Sequence, residues 1–589
     1  MAPSRRDRFW KSSSRLSGMY LFHLLRSFLP LRNPIGFGAS DFIAFAVAEL
    51  LVLIVLSWPA LQPYAQWLAD RTAWCMLSLA VLPVALRLGL LVHSPVPTPS
   101  TSDDFSYLLL ADTLSHFRLA NPAHPMHRFF ETIFVLQQPS YSSIYPLGQG
   151  LVLAFGQLVF RNPWTGVLLS TGALCALCYW MLRAWVRPQW ALLGGLLAVA
   201  EFGPLSYWMN SYWGGAASAS AGCLVFGSLP RLCERWRTRD AALLGTGIAI
   251  QFLTRPYEGT LLLLSVVLFF LVALRVPVEW RKLLRAVPII VLAASPALVL
   301  TLLQNKAVTG TWTTLPYLLN RYEYGVPTTL TFQPNAVPHR ELTADQDLDY
   351  RAQAAVHGNG AETLWRFIER AIYRIRFYRF FLLAPLYVGL AVFLVFVRTL
   401  RQLWVPAALM LFILGSNFYS YFYPHYIAAA ACLFLLVAVS GLERLHGLIR
   451  PAWLRGRYIT QVTILLCAVH FLFWYGVHLF GSDEVASALS QYETWDFINF
   501  GDPEGRIAID NQLAHAPGKQ LVFVRYGPRH MFHSWIHNQA DIDRSRIVWA
   551  RDLGPAEDEQ LRRYYPGRTV WLVEPDAAPP RITPFQGAP

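Results

Sequence analysis

Two adjacent carboxylates, Asp103 and Asp104, are the residues of this sequence whose type and placement most suggest chemistry. They lie in the stretch SDDFSYLLLADT, shortly after a long apolar run. A charged side chain close to the hydrocarbon of a bilayer costs free energy, so it tends to mark a functional site. A carboxylate there can take the proton of an attacking hydroxyl or bind a metal ion. Acidic residues at a helix start can also serve only as caps, so both roles stay open.

Five further residues could bind a substrate, and each has a simpler alternative. Arg255 and Glu258 follow an apolar run in LTRPYEG, where Arg offers donors suited to phosphate, or the pair only fixes a turn. His425 and Tyr426 begin another apolar segment in YFYPHYIAAA, where interfacial aromatic residues are common. Arg321 lies in RYEYG within a long polar loop, where a place on the loop surface is the alternative.

Two groups of residues have spacings compatible with a metal ion, and both have weak points. The groups are His124, His127 and Glu131, and His530, His533 and His537. Prolines argue against a helix in the first group, and the second lies in a segment that is equally compatible with a loop. The seven cysteines lie in or beside apolar segments, which indicates packing residues and not a disulfide framework.

The composition is that of a membrane protein. Of the 589 residues 54% are apolar and only 14% are charged, whereas soluble domains carry about 25% charged residues. The apolar runs predict a polytopic α-helical membrane protein with about 11–13 hydrophobic helices. The net charge of +13 is spread over short connections. That distribution predicts cytoplasmic loops and argues against nucleic-acid binding.

The pattern along the chain predicts four parts. They are a basic cytoplasmic segment 1–40, a membrane module 41–480 with outer loops 94–146 and 306–380, an extracytoplasmic α/β domain 482–575, and a disordered Pro-rich tail 576–589. In the α/β domain, strand-like runs at 519–527, 545–554 and 569–576 alternate with the helix-compatible HSWIHNQADID and AEDEQLRRYY. The short, Gly-interrupted run 147–160 predicts a re-entrant or interfacial helix. Glu201, inside an apolar run, should face other helices and not lipid.

The ordered set of motifs resembles a known class of membrane enzymes. The acidic pair, the apolar helical stretch after it, and the Tyr-Pro turn IYPLGQG leading into another apolar helix resemble the GT-C glycosyltransferases. The nearest groups are the protein O-mannosyltransferase and lipid A aminoarabinose transferase types. With SYWMNSYWGGA and TRPYEG added, the run is similar to a bacterial branch of that class without assigned substrates. The resemblance spans residues 40–480.

The resemblance implies an inverting transferase in the bacterial inner (plasma) membrane. Its donor would be a sugar on a polyprenyl phosphate, and its acceptor a hydroxyl of a glycan, lipid or protein on the outer face. Asp103 and Asp104 would be the base or the ligands of a divalent metal ion, the one candidate cofactor. Arg255 would contact the lipid phosphate, with membrane lipids around the module.

The turn IYPLGQG would place Tyr145 at the substrate but departs from the pattern of the class. Ile144 stands where relatives often have Lys, and Leu147 where they have a second Pro. A cationic phosphate contact is therefore absent from that turn and must come from elsewhere.

Two other functions remain open from the sequence. One is a polymerase or ligase of polyprenyl-linked glycans, which also needs large outer loops. The other is a transporter or lipid-carrier flippase, which would place charged groups near the middle of the bilayer. Most of the charged candidates lie at the outer ends of apolar runs, and Glu201 is the exception.

Overall fold

The computed structural model describes six stretches of the chain. They are residues 62–99, 101–273, 277–358, 360–448, 456–480 and 505–585. The predicted basic segment 1–40, nearly all of the apolar run 41–62, and the first part of the predicted α/β domain, 482–504, lie outside the described residues.

The described chain is mainly helical, with two small sheets. The helices are α1 (Gln62–Asp70), α2 (Thr72–Gly89), α3 (Ser102–Ser115), α4 (Leu147–Phe160), α5 (Pro163–Leu182), α6 (Pro188–Phe202), α7 (Ala216–Arg235), α8 (Thr238–Thr254), α9 (Pro256–Ala273), α10 (Pro277–Thr309), α11 (Pro316–Tyr324), α12 (Ala344–His357), α13 (Leu364–Tyr378), α14 (Tyr387–Phe396), α15 (Leu400–Ser416), α16 (Ala431–His446), α17 (Gly456–Phe480), α18 (Arg506–His515) and α19 (Pro555–Tyr564). The strands are β1 (Asn121–Pro122), β2 (Val135–Leu136), β3 (Ser140–Ser143), β4 (Gln520–Val524), β5 (Ile547–Arg551), β6 (Thr569–Glu574) and β7 (Arg581–Pro584).

Six helices in the described residues are long and apolar enough to cross a membrane. They are Thr72–Val92, Pro163–Leu182, Pro256–Ala273, Glu279–Thr309, Pro424–His446 and Gly456–Phe480. A seventh arises if the bent pair Leu364–Phe381 and Ala384–Phe396 forms one span, and α4 and α15 are shorter apolar helices. The chain is therefore a polytopic α-helical membrane protein, as its composition predicts.

The bundle packs closely around the helix α16 and the 3-10 turn Pro424–Ala430 that precedes it. Small residues allow the contacts, because a Cβ at Gly222 of α7 would lie 1.8 Å from the carbonyl oxygen of Ala429. Small residues are the usual means of packing helices in membranes, where lipid competes for apolar surface. Glu201 is 3% exposed, which confirms that it faces the protein interior.

The C-terminal part is an α/β domain, as predicted. The sheet order is β5-β4-β6-β7, in which β4 pairs in parallel with β5 and β6, and β7 pairs antiparallel with β6. All five residues of β4 are buried, which fits a central parallel strand. The helix predicted from AEDEQLRRYY is α19.

Two sequence predictions in this domain differ from the structure. The stretch 533–543 contains no helix, because the Asn538 amide exchanges hydrogen bonds of 2.8 and 2.9 Å with the backbone of Trp549 and holds the chain beside β5. The tail predicted to be disordered instead forms β7 at residues 581–584. Its backbone completes the edge of β6, a position where Pro584 is tolerated.

The α/β domain packs on the segment that carries the acidic pair. Leu109 of α3 and Phe129 share a hydrophobic cluster with Leu521 and Phe523 of β4. The Phe105 ring stacks on the His537 ring with centroids 4.3 Å apart. The helix α3 is therefore held between the membrane helices and the C-terminal sheet.

Candidate active site

The two aspartates of the acidic pair have different surroundings. Thr101 and Asp104 form a capping box at the start of α3, in which each side chain accepts a backbone N–H bond from the other at 3.4 Å. The second carboxylate oxygen of Asp104 accepts a bond from the Tyr212 backbone N–H at 3.0 Å. Asp104 is 3% exposed. Its carboxylate is thus occupied by contacts that hold the fold together.

Asp103 is only partly buried, and its carboxylate accepts a hydrogen bond from the Tyr145 hydroxyl. Burial raises the pKa of Asp103 to about 6, with the Tyr145 bond opposing the rise and the Asp104 charge adding to it. The positive charge of Arg255 also lowers this pKa, so it lies close enough to act on the carboxylate. A carboxyl with such a pKa is ionised at neutral pH yet remains a usable proton acceptor.

Tyr145 is positioned by contacts from the two helices α3 and α10. Its ring stacks on the Tyr107 ring at 4.1 Å between centroids, nearly parallel at 11°, and Gln304 of α10 donates a 2.9 Å bond to its carbonyl oxygen. Tyr107 is not among the site residues predicted from the sequence. Its position four residues after Asp103 was the available signal, because residues i and i+4 of a helix share a face.

Arg255 lies at a break between two helices. Pro256 cannot continue α8 but suits the first position of α9, so Arg255 takes a non-helical conformation between them. Its guanidinium lies 3.5 Å from the Glu258 carboxylate and 4.9 Å from the centre of the Tyr426 ring. The predicted Arg–Glu ion pair is therefore present. Because a guanidinium carries five donors, this single pair leaves donors for another anion.

Two glycines of the turn IYPLGQG bring α3 and the Arg255 segment together. A Cβ at Gly148 would lie 2.3 Å from Cγ2 of Thr254, next to Arg255, and 2.9 Å from the Leu253 backbone. A Cβ at Gly150 would lie 2.5 Å from Cγ of Leu110 in α3. The helix α4 can therefore contact both site elements only because these positions lack a side chain.

His425 and Tyr426 belong to the 3-10 turn before α16. The buried His425 ring lies with Nδ1 3.0 Å from the Tyr207 hydroxyl, and its backbone N–H donates to the same oxygen at 3.1 Å. The ring stacks on Tyr423 and meets the edge of Trp213. Tyr426 lies under the guanidinium of Arg255. The two residues are thus placed differently, with Tyr426 against the site cation and His425 inside an aromatic cluster.

Arg321 uses its donors within its own loop. Its Nε and Nη2 each donate a 3.0 Å bond, to the carbonyl oxygens of Pro327 and Thr328. The guanidinium also lies 5.4 Å from the centre of the Tyr317 ring. These contacts fix the loop that follows α11, so fewer donors remain for a substrate than on Arg255.

The residues do not fit a bound metal ion. Among the described residues, no group of three or more His, Cys, Asp or Glu side chains is placed to hold one. Asp103 contributes one carboxylate, which already accepts a bond from Tyr145, and Asp104 is engaged by the helix cap. No step of a reaction is therefore assigned to a metal.

The two histidine groups are also engaged in other contacts. His124 pairs with Asp543 at 3.0 Å, and Glu131 bonds Arg340 at 2.6 Å. His530 pairs with Asp576 at 3.0 Å, while His537 stacks on Phe105. Within the first group His127 lies 3.9 Å from Glu131, but among the described residues neither group has three side chains placed to hold one ion.

Comparison with known proteins finds similarity at the level of the fold. No protein family model and no curated protein matches the chain. Among solved structures, ArnT from Cupriavidus metallidurans bound to undecaprenyl phosphate is 13% identical, with 84% of this chain and 92% of that chain covered and a TM-score of 0.48. The oligosaccharyltransferase of Archaeoglobus fulgidus is 11% identical, with 84% and 68% covered and a TM-score of 0.42.

A third similar structure is the arabinofuranosyltransferase AftD from Mycobacteria. It is 14% identical, with 85% of this chain and 35% of that chain covered and a TM-score of 0.39. The similarity to these proteins concerns the fold. The choice of site residues depends on the distances and contacts described above.

Proposed function

We propose that the chain is an integral membrane glycosyltransferase that moves a sugar from a polyprenyl-phosphate-linked donor to an acceptor hydroxyl. The observation that carries this proposal is the partly exposed Asp103 carboxylate, which accepts the Tyr145 bond and feels the positive charge of Arg255 at the junction of α8 and α9. A proton acceptor and a phosphate-binding cation are the two groups that such a transfer needs.

Asp103 would act as the general base. With a pKa of about 6 it is ionised at neutral pH and can take the proton of the attacking hydroxyl. The hydroxyl oxygen then forms a bond to C1 of the sugar as the bond from C1 to the phosphate oxygen breaks. The Tyr145 hydroxyl, which donates to Asp103, holds the carboxylate in place during this step.

Arg255 would stabilise the departing phosphate. The electron pair of the broken bond passes to the phosphate oxygen, and the negative charge grows in the transition state. A guanidinium with donors to spare suits that oxygen, and Glu258 orients it from 3.5 Å away. Because attack and departure occur on opposite faces of C1, a single displacement of this kind inverts the anomeric centre.

The placement of the site supports a lipid-linked donor on the outer face of the membrane. Tyr426 lies near one end of the span Pro424–His446 and contacts Arg255 of the site. A lipid tail could therefore reach the site sideways, between the membrane helices. The basic connections, with Arg183, Arg187 and Arg444, follow the opposite ends of α5 and α16. Short basic connections stay in the cytoplasm, which supports an extracytoplasmic site. The acceptor would be a hydroxyl of a glycan, lipid or protein.

The test uses purified protein in lipid nanodiscs with a panel of polyprenyl-phosphate sugars and membrane extract as the source of acceptor. The wild type should release free polyprenyl phosphate from at least one donor, and Asp103→Asn should lower the rate by a factor of at least about 100. Asp112→Asn is the matched control on α3, because the new amide oxygen can still accept the Ala540 N–H bond made by Asp112. Unchanged release by Asp103→Asn would remove Asp103 from the mechanism, and no release by the wild type from any donor would contradict the function.

A further inference from the structure

A basic cleft lies at the end of the bundle opposite the candidate active site. It opens between the α5–α6 connection, the α14–α15 connection and the end of α16, and has a volume of about 1010 Å³. The site residue Tyr426 precedes α16, whereas the cleft residue Arg444 is in the last turn of that helix. The two places are therefore separated by the length of one membrane span.

The charge of the cleft is strongly positive. Its lining contains the four arginines Arg183, Arg187, Arg398 and Arg444 against the single acid Glu443. Four positive charges and one negative charge leave a net charge of +3. Such a surface attracts anions.

Two of the four arginines are already engaged within the protein. Arg183 donates a 2.9 Å bond to the carbonyl oxygen of Ala69, and Arg187 pairs with Glu443 at 2.5 Å. The exposed side chains of Arg398 and Arg444 form no hydrogen bond or ion pair with any residue in the described part of the chain. They stand on opposite sides of the cleft, one after α14 and one in α16, with donors suited to a phosphate.

The surroundings of the cleft favour a lipid as the source of that phosphate. Inward from the opening, a recess is lined by the apolar Phe393, Val405 and Leu436 and by the polar Gln402, Ser440 and Arg444. Trp185 and Phe396 line both the recess and the outer opening, so the two are continuous. The outer surface next to the cleft exposes a further set of apolar side chains. They are Leu394, Val395, Leu400 and Leu403.

We propose that this cleft binds the headgroup phosphate of an anionic phospholipid, with the acyl chains along the apolar surface of α14 and α15. The opening lies where membrane helices end, so the headgroup of a bilayer lipid reaches it directly. Basic pockets between membrane helices are a recurrent means of holding acidic lipids. A bound lipid would connect α14 to α16 across the cleft through Arg398 and Arg444.

The test measures lipid binding to the full chain in detergent by native mass spectrometry, which needs no transfer activity. Delipidated protein is titrated with phosphatidylglycerol or phosphatidylcholine, and with soluble glycerol phosphate as a competitor. The wild type should bind one phosphatidylglycerol more tightly than phosphatidylcholine. The variant R398Q/R444Q should weaken that binding at least about tenfold, because two charged donors are lost. Soluble glycerol phosphate should not displace the lipid.

The matched control is R235Q/R237Q, which removes two exposed charges at the end of α7, outside the cleft. It should change the affinity by less than about twofold. The variant R398K/R444K keeps the charge and should retain most of the binding. Equal affinity of wild type and R398Q/R444Q, equal losses in the cleft and control variants, or equal binding of the two lipids would each overturn the proposal. Displacement by glycerol phosphate would assign the cleft to a soluble anion instead.

Discussion

Asp103 and Asp104 show how two identical neighbours acquire different environments at the start of one helix. Successive residues of an α-helix point about 100° apart, so only one of the pair can face the Thr101 cap and the Tyr212 backbone. That residue is Asp104, and its neighbour accepts the Tyr145 bond and feels the positive charge of Arg255. The two roles that an acidic pair can have are therefore divided between the residues. Asp104 caps the helix, and Asp103 is the candidate reactive carboxylate.

The two aspartates should respond oppositely to the same substitution. The pKa of Asp103 rises from 3.8 to about 6 on folding, so ionised Asp103 destabilises the folded state at pH 7.5, by up to about 3 kcal/mol. Asp103→Asn should therefore raise the unfolding temperature. Asp104→Asn should lower stability by about 1–3 kcal/mol, because one amide oxygen cannot replace both carboxylate oxygens as acceptors. Thermal unfolding of the two variants in one detergent measures both effects.

The size of the Asp103 effect on stability depends on pH. The folded protein binds the Asp103 proton more tightly than the unfolded chain, so stability falls as the pH rises from about 4 to about 6. The advantage of Asp103→Asn should therefore be full above pH 7 and absent below pH 4. A constant difference between the variant and the wild type across this range would contradict the assigned pKa.

The rate of polyprenyl phosphate release should follow the ionisation of Asp103. If Asp103 is the base, kcat/KM should fall about tenfold for each pH unit below about 6 and level off above it. The residual kcat/KM of Asp103→Asn should not fall in this way at acidic pH, whereas the kcat/KM of Asp112→Asn should fall as in the wild type. The measurement is kcat/KM for release between pH 4.5 and 8.5, and a flat profile for the wild type would remove Asp103 as the base.

At the scale of elements, the site depends on close contacts of the helix α4. Gly148 lets its first turn reach the end of α8, where Leu253 and Thr254 precede Arg255. Gly148→Ala should displace Arg255 relative to Asp103 and slow release about 10- to 100-fold, the usual cost of a small misplacement. The measurement is the release rate, together with the unfolding temperature.

The control for this change is Gly476→Ala in α17. A Cβ at Gly476 would have no heavy atom within 4 Å, so the same substitution should leave release unchanged. Alanine also favours the helix by about 0.5–1 kcal/mol. A normal rate for Gly148→Ala would show that α4 does not set the distance between the two groups.

At the scale of the whole molecule, the C-terminal domain is tied to the membrane module by an ion pair. Arg551 of β5 bonds both carboxylate oxygens of Asp345 at 2.5 and 3.0 Å, and donates a 3.0 Å bond to the Glu131 carbonyl oxygen. Arg551→Gln leaves the largely buried Asp345 carboxylate without its charge partner. We expect this to destabilise the contact between the domain and the module by about 3–5 kcal/mol. We expect faster hydrogen exchange in α12 and β5, measured by mass spectrometry.

The exposed Arg529 provides the control on the same domain. Arg529→Gln removes one positive charge and should leave exchange in α12 and β5 as in the wild type, since a surface charge contributes little. If Arg551→Gln also exchanged like the wild type, the ion pair would not be what joins the domain to the module.

The sequence was enough to predict the membrane class, the helix that starts at the acidic pair and three strands of the C-terminal α/β domain. These features depend on composition, caps and short-range periodicity, which are local in the chain. Three features follow only from tertiary contacts. Asp103 bonds Tyr145 while Asp104 caps α3, residues 533–543 lie beside β5 without forming a helix, and 581–584 form β7. Each of these depends on partners distant in sequence, whose contacts outweigh local preference because burial and hydrogen bonding are decided by the whole fold.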